Sequence, residues 1–133
     1  MIFIYTSHIQ LHHTDAAGIV FYSRLFDLAF EALSAFLQHI GVSVAYIIRD
    51  SSFLMPFVHA EVDFLRPLGV GDELIFQMQV EQIGSSSYTV AYTVLSAGEP
   101  AAYLKTVHVT IDKATKTKIP LPEKLRSPGK MLP

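Results

Sequence analysis

The feature that most limits how this chain can fold is the stretch from Tyr22 to Ile40. Its polar members, Arg24, Asp27, Glu31, Ser34 and Gln38, step by three or four residues and fall on one narrow stripe of a helix. Leu25, Phe26, Leu28, Ala29, Phe30, Leu33, Phe36 and Leu37 cover most of the remaining circumference. A surface helix needs an apolar face only about 100° wide, so a wider one must be enclosed on most sides. Gly41 directly follows the last periodic residue, where glycine suits a left-handed cap, and His39 in the final turn suits the negative end of the helix dipole.

The enclosing partner is legible in period two. Phe3, Tyr5, Ile9 and Leu11 read as a leading strand, and Val58, Ala60, Val62 and Phe64 alternate with His59, Glu61, Asp63 and Leu65. Leu74, Phe76, Met78 and Val80 alternate with polar neighbours, as do Tyr88, Val90, Tyr92 and Val94; a last run, Tyr103 to Ile111, puts Val107, Val109 and Ile111 on one face. Gly, Ser, Asp and Pro punctuate the connections. Because these connections are short, the strands are expected to be antiparallel neighbours. The predicted class is α+β, in the order β-α-β-β-β-β, with an antiparallel sheet of five or so strands wrapped around one long central helix. Ile75, Ile83 and Leu95 on the sheet's other face favour a partner there.

Length and charge bound the rest. The chain has 133 residues, enough for a single domain over 1–133, and it is 50% hydrophobic and only 17% charged against a more usual ~25%. Its net charge of -2 gives no general attraction to nucleic acid or to acidic membranes. No cysteine is present, so thiol nucleophiles, disulfides and thiolate metal sites are excluded. Without a secretory signal or a spanning segment, the expected location is cytoplasmic. Charge is uneven: residues 1–112 carry four basic and eleven acidic side chains, and residues 113–133 six basic and one acidic. The Pro- and Lys-rich composition of 113–133 reads as an extended tail over the surface.

The chemistry concentrates in Leu11-His12-His13-Thr14-Asp15-Ala16-Ala17-Gly18-Ile19-Val20-Phe21-Tyr22. A carboxylate and a tight turn just before a long helix would set free backbone N–H groups and the positive dipole end beside Asp15. Donors aimed at a developing oxyanion, next to a carboxylate able to attack or to activate water, are the parts needed for acyl transfer. The same residues also suit a plain structural role, with Asp15 as helix N-cap and Gly18 supplying a positive φ.

The run Thr14-Asp15-Ala16-Ala17-Gly18-Ile19-Val20-Phe21-Tyr22 with Phe30-Glu31-Ala32 resembles the signature of hot-dog-fold acyl-CoA thioesterases of the 4-hydroxybenzoyl-CoA thioesterase type. Pro56 through Phe64, Leu65-Arg66-Pro67 and Gly71-Asp72-Glu73-Leu74 resemble that family's second strand and the turn into its third. The resemblance implies a sheet wrapped around one helix, a hydrolase, Asp15 as catalytic carboxylate (nucleophile or general base) and the Tyr22 backbone N–H as oxyanion donor. It also implies no cofactor, coenzyme A being part of the substrate, and a homo-oligomer, dimer or tetramer, with a site built across a subunit boundary. Two positions depart from the family pattern: His13 stands where a second Asp is frequent, and Phe30 where enzymes specific for 4-hydroxybenzoyl groups have Asp. The Val58–Phe64 block and Ile119-Pro120-Leu121-Pro122 are more similar to the 1,4-dihydroxy-2-naphthoyl-CoA thioesterases.

Phe26 and Phe30 are the aromatic groups expected to receive a flat acyl group. Arg66 and the tail lysines are the expected partners of the CoA phosphates, and His59 is a candidate ligand contact. His8, His12, His13 and Asp15 match no metal-ligand spacing, and no metal is expected. Two rival readings use the same features: a hot-dog dehydratase or hydratase with His59 as base, and a non-catalytic acyl-CoA binding module in which Asp15 only caps.

Overall fold

The computed structural model describes residues 2–130. The elements run β1 (Phe3–His8), α1 (Tyr22–His39), α2 (Val44–Arg49), β2 (Phe53–Leu54), β3 (Phe57–Phe64), β4 (Glu73–Ile83), β5 (Ser87–Ser96), β6 (Glu99–Val109), β7 (Ile111–Asp112) and α3 (Glu123–Lys130). Five strands form one antiparallel sheet in the order β1-β4-β5-β6-β3, packed on α1, and β2 pairs with β7 in a small second sheet. This is the α+β architecture expected from periodicity.

Helix α1 ends as its sequence dictates. Gly41 has φ 87°, its N–H reaches Gln38 O at 3.1 Å and the Val42 N–H reaches Leu37 O at 2.9 Å, the paired bonds of a Schellman cap. Leu25, Leu28, Ala29, Ala32, Leu33, Phe36 and Leu37 are buried, while Arg24, Asp27, Glu31 and Gln38 of the polar stripe are exposed. Phe3 packs edge-on against Phe36 with ring centroids 5.5 Å apart, fixing the helix over the β1 side of the sheet. From the sheet come Leu74, Phe76, Met78, Tyr88, Val90 and Val94, all fully buried.

The enclosure is less complete than the helix composition predicts. Phe30 remains 53% exposed, because α1 lies toward β1 and β4 and leaves the far side of the sheet uncovered. There β3 is exposed along nearly its whole length, with Phe57, Val58 and Phe64 among its accessible side chains.

Two other expectations are corrected. Strands β3 and β4 are consecutive in sequence but are not neighbours: β3 pairs with β6 and β4 with β1 and β5. A short link does not enforce adjacency, since the eight residues between them span up to roughly 27 Å and three strand spacings need only about 14 Å. This crossing is anchored by Leu68, 1% exposed, and by the Leu65 N–H to Ala101 O bond of 2.9 Å. Second, residues 113–130 are not an extended tail. A turn returns Lys118 to bridge Ile111, and α3 follows Pro122 with Leu121 and Leu125 buried. The basic composition concealed two apolar anchors at the spacing of one helical turn. The basic side chains themselves are used locally: Arg126 donates to Gly84 O and Ser85 O, and Lys113 Nζ to Ile48 O and Ser51 O at the end of α2.

Candidate active site

The loop before α1 is a small hairpin. Thr14 bridges Val20, the Asp15 N–H donates to Ile19 O at 2.9 Å and the Gly18 N–H donates to Asp15 O at 3.0 Å. The tip is closed by the Asp15 carboxylate, which accepts the Ala17 N–H at 2.8 Å and, at 3.5 Å, the Ile19 N–H. Gly18, at φ 76°, makes the reversal as its sequence context predicts. The chain crossing from β3 to β4 fastens this hairpin: the Val20 N–H donates to Leu68 O and the Val70 N–H to Gly18 O, at 2.7 and 3.2 Å. Asp72 closes the facing turn by accepting the Gly69 N–H at 2.8 Å.

One structural reading of Asp15 is thereby corrected. The N-cap of α1 is Phe21, not Asp15, and Phe21 makes no side-chain cap bond. The first N–H groups of an α-helix have no partner within it, so among the described residues Tyr22 and Ser23 present donors with no side-chain cap from Phe21 at the positive end of an 18-residue helix. The cap is held from the other side. The Phe21 N–H donates to His13 O at 2.9 Å, and the buried His13 ring accepts the Gln10 N–H at Nδ1, 2.8 Å away. Burial pushes the His13 imidazole below its ordinary range, with His12 beside it acting in the same direction and Glu31 and Asp27 opposing.

Tyr22 faces an open cleft of about 480 Å³ shared with Ile19, Phe64, Arg66 and Leu68. Two of the sequence-derived candidates, Tyr22 and Arg66, are thus brought together. Arg66 donates through Nη2 to Ser96 O and lies 3.7 Å from Glu99, while its Nε is buried with no hydrogen-bond partner among the described residues. Asp15 is exposed and borders neither this cleft nor the cavities that follow.

Beyond the first turn of α1, a cavity of about 350 Å³ runs between the helix and the β6–β3 side of the sheet, bordered by Ser23, Phe26, Asp27, Phe30, Phe57 and Ala60. Phe26 and Phe30 are therefore in one wall of it. Besides Ser23 and Asp27 of α1, its polar members come from the sheet. Tyr92 Oη and Thr106 Oγ1 are 2.9 Å apart, and Thr106 Oγ1 is 2.9 Å from His108 Nε2. Burial pushes the Tyr92 hydroxyl up to about 12 and the His108 imidazole down, the latter against a hydrogen bond with the Met55 backbone. A second, apolar cavity of about 320 Å³ adjoins at Phe30, Leu33 and His108 and reaches Val44 and Ile47. From sequence His108 reads as a structural residue and Tyr92 as one position of an alternating strand, and Thr106 does not stand out, because the Tyr103–Ile111 pattern points to Val107 and Val109. The inward face of β6 is instead Leu104, Thr106 and His108; the signal was the pairing of β6 with β5, whose inward Tyr88 and Tyr92 stand opposite His108 and Leu104.

His59 is not brought to this region. It pairs with Val107 on the outward face and lies 3.1 Å from Glu61 in the open. His8 faces Glu73 at 3.6 Å and His12 stacks on His13 with centroids 4.1 Å apart. Among the described residues no group of three or more His, Asp or Glu could hold a metal ion, and no helix is long and apolar enough to cross a membrane. Of the tail, Arg126 in α3 touches the Gly84 turn at the far end of β4, whereas the other end of that strand meets His8 and the loop. Eleven strand residues separate the two ends by roughly 36 Å.

A family model described as the thioesterase-like superfamily matches residues 9–128. A 1,4-dihydroxy-2-naphthoyl-CoA hydrolase of Rippkaea orientalis is 39% identical over 124 residues, covering 91% of this chain and 90% of that protein. The enzyme of the same name from Synechococcus elongatus is 33% identical over 119 residues, with coverages of 89% and 88%. Among solved structures, a 1,4-dihydroxy-2-naphthoyl-CoA thioesterase from Synechocystis superposes with a TM-score of 0.92 at 28% identity, covering 99% of this chain and 98% of that one.

Proposed function

This chain belongs to the thioesterase-like superfamily and is an acyl-CoA thioester hydrolase, and on that premise we propose that it hydrolyses 1,4-dihydroxy-2-naphthoyl-CoA with Asp15 as its catalytic carboxylate and the Tyr22 backbone N–H as oxyanion donor. The observation that carries this reading is the uncapped N-terminus of α1, set directly after the Asp15 hairpin and beside a cavity walled by Phe26 and Phe30. A thioester carbonyl placed at Tyr22 develops negative charge as its carbon is attacked, and the helix N–H groups stabilise that charge without reorganising. Asp15 either attacks the carbon, giving a mixed anhydride that water then opens, or takes a proton from the attacking water. In both routes the C–S bond breaks, CoA leaves as the thiol after gaining a proton, and the acyl group departs as a carboxylate. Arg66, in the cleft shared with Tyr22, offers its guanidinium to a phosphate of CoA. A cytoplasmic location goes with this chemistry, since CoA thioesters are intracellular metabolites.

The active form in this reading is a homo-oligomer, a dimer or tetramer. The long edge of β3, exposed and carrying Phe57, Val58 and Phe64, is open to pairing with another strand, and Asp15 lies outside its own chain's cavities, which supports a site completed by a second copy. The dehydratase alternative receives no such support, because its base, His59, is on the sheet's outward face.

Thiol release from a panel of CoA esters tests the function. The expected result is turnover of the dihydroxynaphthoyl ester well above that of palmitoyl-CoA; equal rates on both, or release that survives removal of the Asp15 carboxylate, would overturn it. Light scattering on Val58→Lys, which puts a charge on the β3 edge, tests the assembly. Loss of both the oligomer and the activity is expected, and an active monomer would refute the shared site.

A further inference from the structure

Resting on the thioesterase reading above, we propose that Tyr92, Thr106 and His108 form a specificity device that recognises a hydroxyl group on the acyl ring. The ring hydroxyl donates its hydrogen bond to the Tyr92 phenolic oxygen, so that hydroxylated aryl thioesters are selected over bare or O-alkylated ones.

The three side chains project from neighbouring positions on the inward faces of β5 and β6, are each less than 10% exposed, and all border the cavity that begins at Ser23. On the opposite wall α1 contributes Phe26, Ala29, Phe30 and Leu33, with the polar Ser23 and Asp27 at the Tyr22 end. A cavity built for hydrocarbon alone has no use for three polar groups, which are costly to bury unless each finds a partner. The cavity follows α1 from Ser23 to Leu33, a rise of roughly 15 Å, which leaves room for two fused rings. A thioester held at the Tyr22 N–H therefore directs the far edge of its ring toward the sheet.

The hydrogen bonds have a direction. The contact with the Met55 backbone favours the protonated imidazole, as a bond donated by a ring N–H does, and this assigns the ring's proton to the nitrogen facing Met55. In the neutral imidazole that burial favours, Nε2 is then an acceptor. Thr106 must donate its hydroxyl proton to Nε2, and Tyr92 must donate its own to Thr106 Oγ1, across the two 2.9 Å separations. Every proton in the chain is committed. What it still offers the cavity is lone pairs, chiefly those of the Tyr92 oxygen, and these are matched by a hydroxyl donor. An ether or a bare C–H cannot supply the proton, and a phenolate would be repelled. The name carried by the relatives, 1,4-dihydroxy-2-naphthoyl-CoA hydrolase, describes an acyl group with a hydroxyl on the ring edge of the kind this acceptor needs.

The test compares kcat/KM for 1,4-dihydroxy-2-naphthoyl-CoA, 1-hydroxy-2-naphthoyl-CoA and the 4-methoxy analogue, in the wild type, Tyr92→Phe and Thr106→Val. The wild type is expected to favour the dihydroxy ester by roughly ten- to hundredfold. Tyr92→Phe should bring its ratio to the 1-hydroxy ester down to near one. Thr106→Val releases the Tyr92 proton and should relax the preference for hydroxyl over methoxy. Damage to folding lowers both rates together and leaves a ratio unchanged, so the ratios isolate recognition. Calorimetric affinities for the corresponding free naphthoic acids give the same comparison without turnover. If no thioester is hydrolysed, the proposed reaction falls and those affinities still decide the recognition. A wild-type preference within a factor of two, or a preference that Tyr92→Phe retains, overturns the inference.

Discussion

Replacing Asp15 by Asn separates chemistry from structure cleanly, because the geometry shows what the carboxylate holds. Among the described residues its one close side-chain hydrogen bond is with the Ala17 N–H at 2.8 Å; the Ile19 N–H at 3.5 Å lies beyond the ordinary limit of about 3.2 Å and contributes little. Asn retains a side-chain oxygen for the first bond and takes nothing from α1, whose cap is Phe21. Stability should therefore stay within about 0.5 kcal/mol of wild type. Asp15→Ala loses that one exposed bond, worth about 0.5–1.5 kcal/mol, or roughly 2–6 °C in Tm for a domain of this size. The rate is a different matter. An amide neither attacks a thioester carbon effectively nor accepts a proton from water, so kcat should fall by about 10²–10⁴-fold in both variants. KM should change little, since the proposed site holds the ring at Phe26 and Phe30 and the CoA phosphates at Arg66. Thermal denaturation with thiol-release kinetics measures both quantities. An Asn variant that keeps more than about a tenth of wild-type kcat would refute the assignment, leaving Asp15 as the closure of a hairpin tip.

Leu125→Ala should destabilise by about 2–5 kcal/mol, because Leu125 is fully buried in a segment with basic tail composition; an unchanged KM for CoA esters is expected alongside, and a raised one would show that α3 does reach the substrate. Tyr88→Phe should leave Tm unchanged or raise it, since the Tyr88 hydroxyl is buried with no partner among the described residues and such a group costs about 1–3 kcal/mol; a clear drop in Tm would reveal a bond to that hydroxyl. His108 and His13 both have folded-state values held below the ordinary histidine value by burial. As pH falls below about 6.5 the unfolded chain takes up protons first, so their contribution is fully present above that value and is lost as pH drops through the folded values. A Tm that declines between pH 7 and 5, with a shallower decline in His108→Gln, is expected; a flat profile would count against buried neutral imidazoles.

The sequence by itself determined the central helix and the elements around it. The narrow stripe of Arg24, Asp27, Glu31 and Gln38 specified which face is wet, and Gly41 specified where the helix stops, because a helical period and a left-handed cap are local properties of the chain. The tight turn after Asp15 was legible for the same reason: a carboxylate, two alanines and a glycine close it locally. What tertiary structure alone decided is which element stands beside which. Strand β3 reaches the edge next to β6, and not a place beside β4, because the intervening residues are long enough for either and the packing of Leu68 under the hairpin selects one. That choice leaves the apolar β3 edge open and removes His59 from the cavity. It also turns Thr106 and His108, not Val107, toward Phe30, since an alternating strand has two faces and only its neighbours say which is inward. The helix cap followed the same rule: once α1 begins at Tyr22, with Phe21 as its N-cap, Asp15 stands too early in the chain for that role, and the hairpin uses that carboxylate for itself.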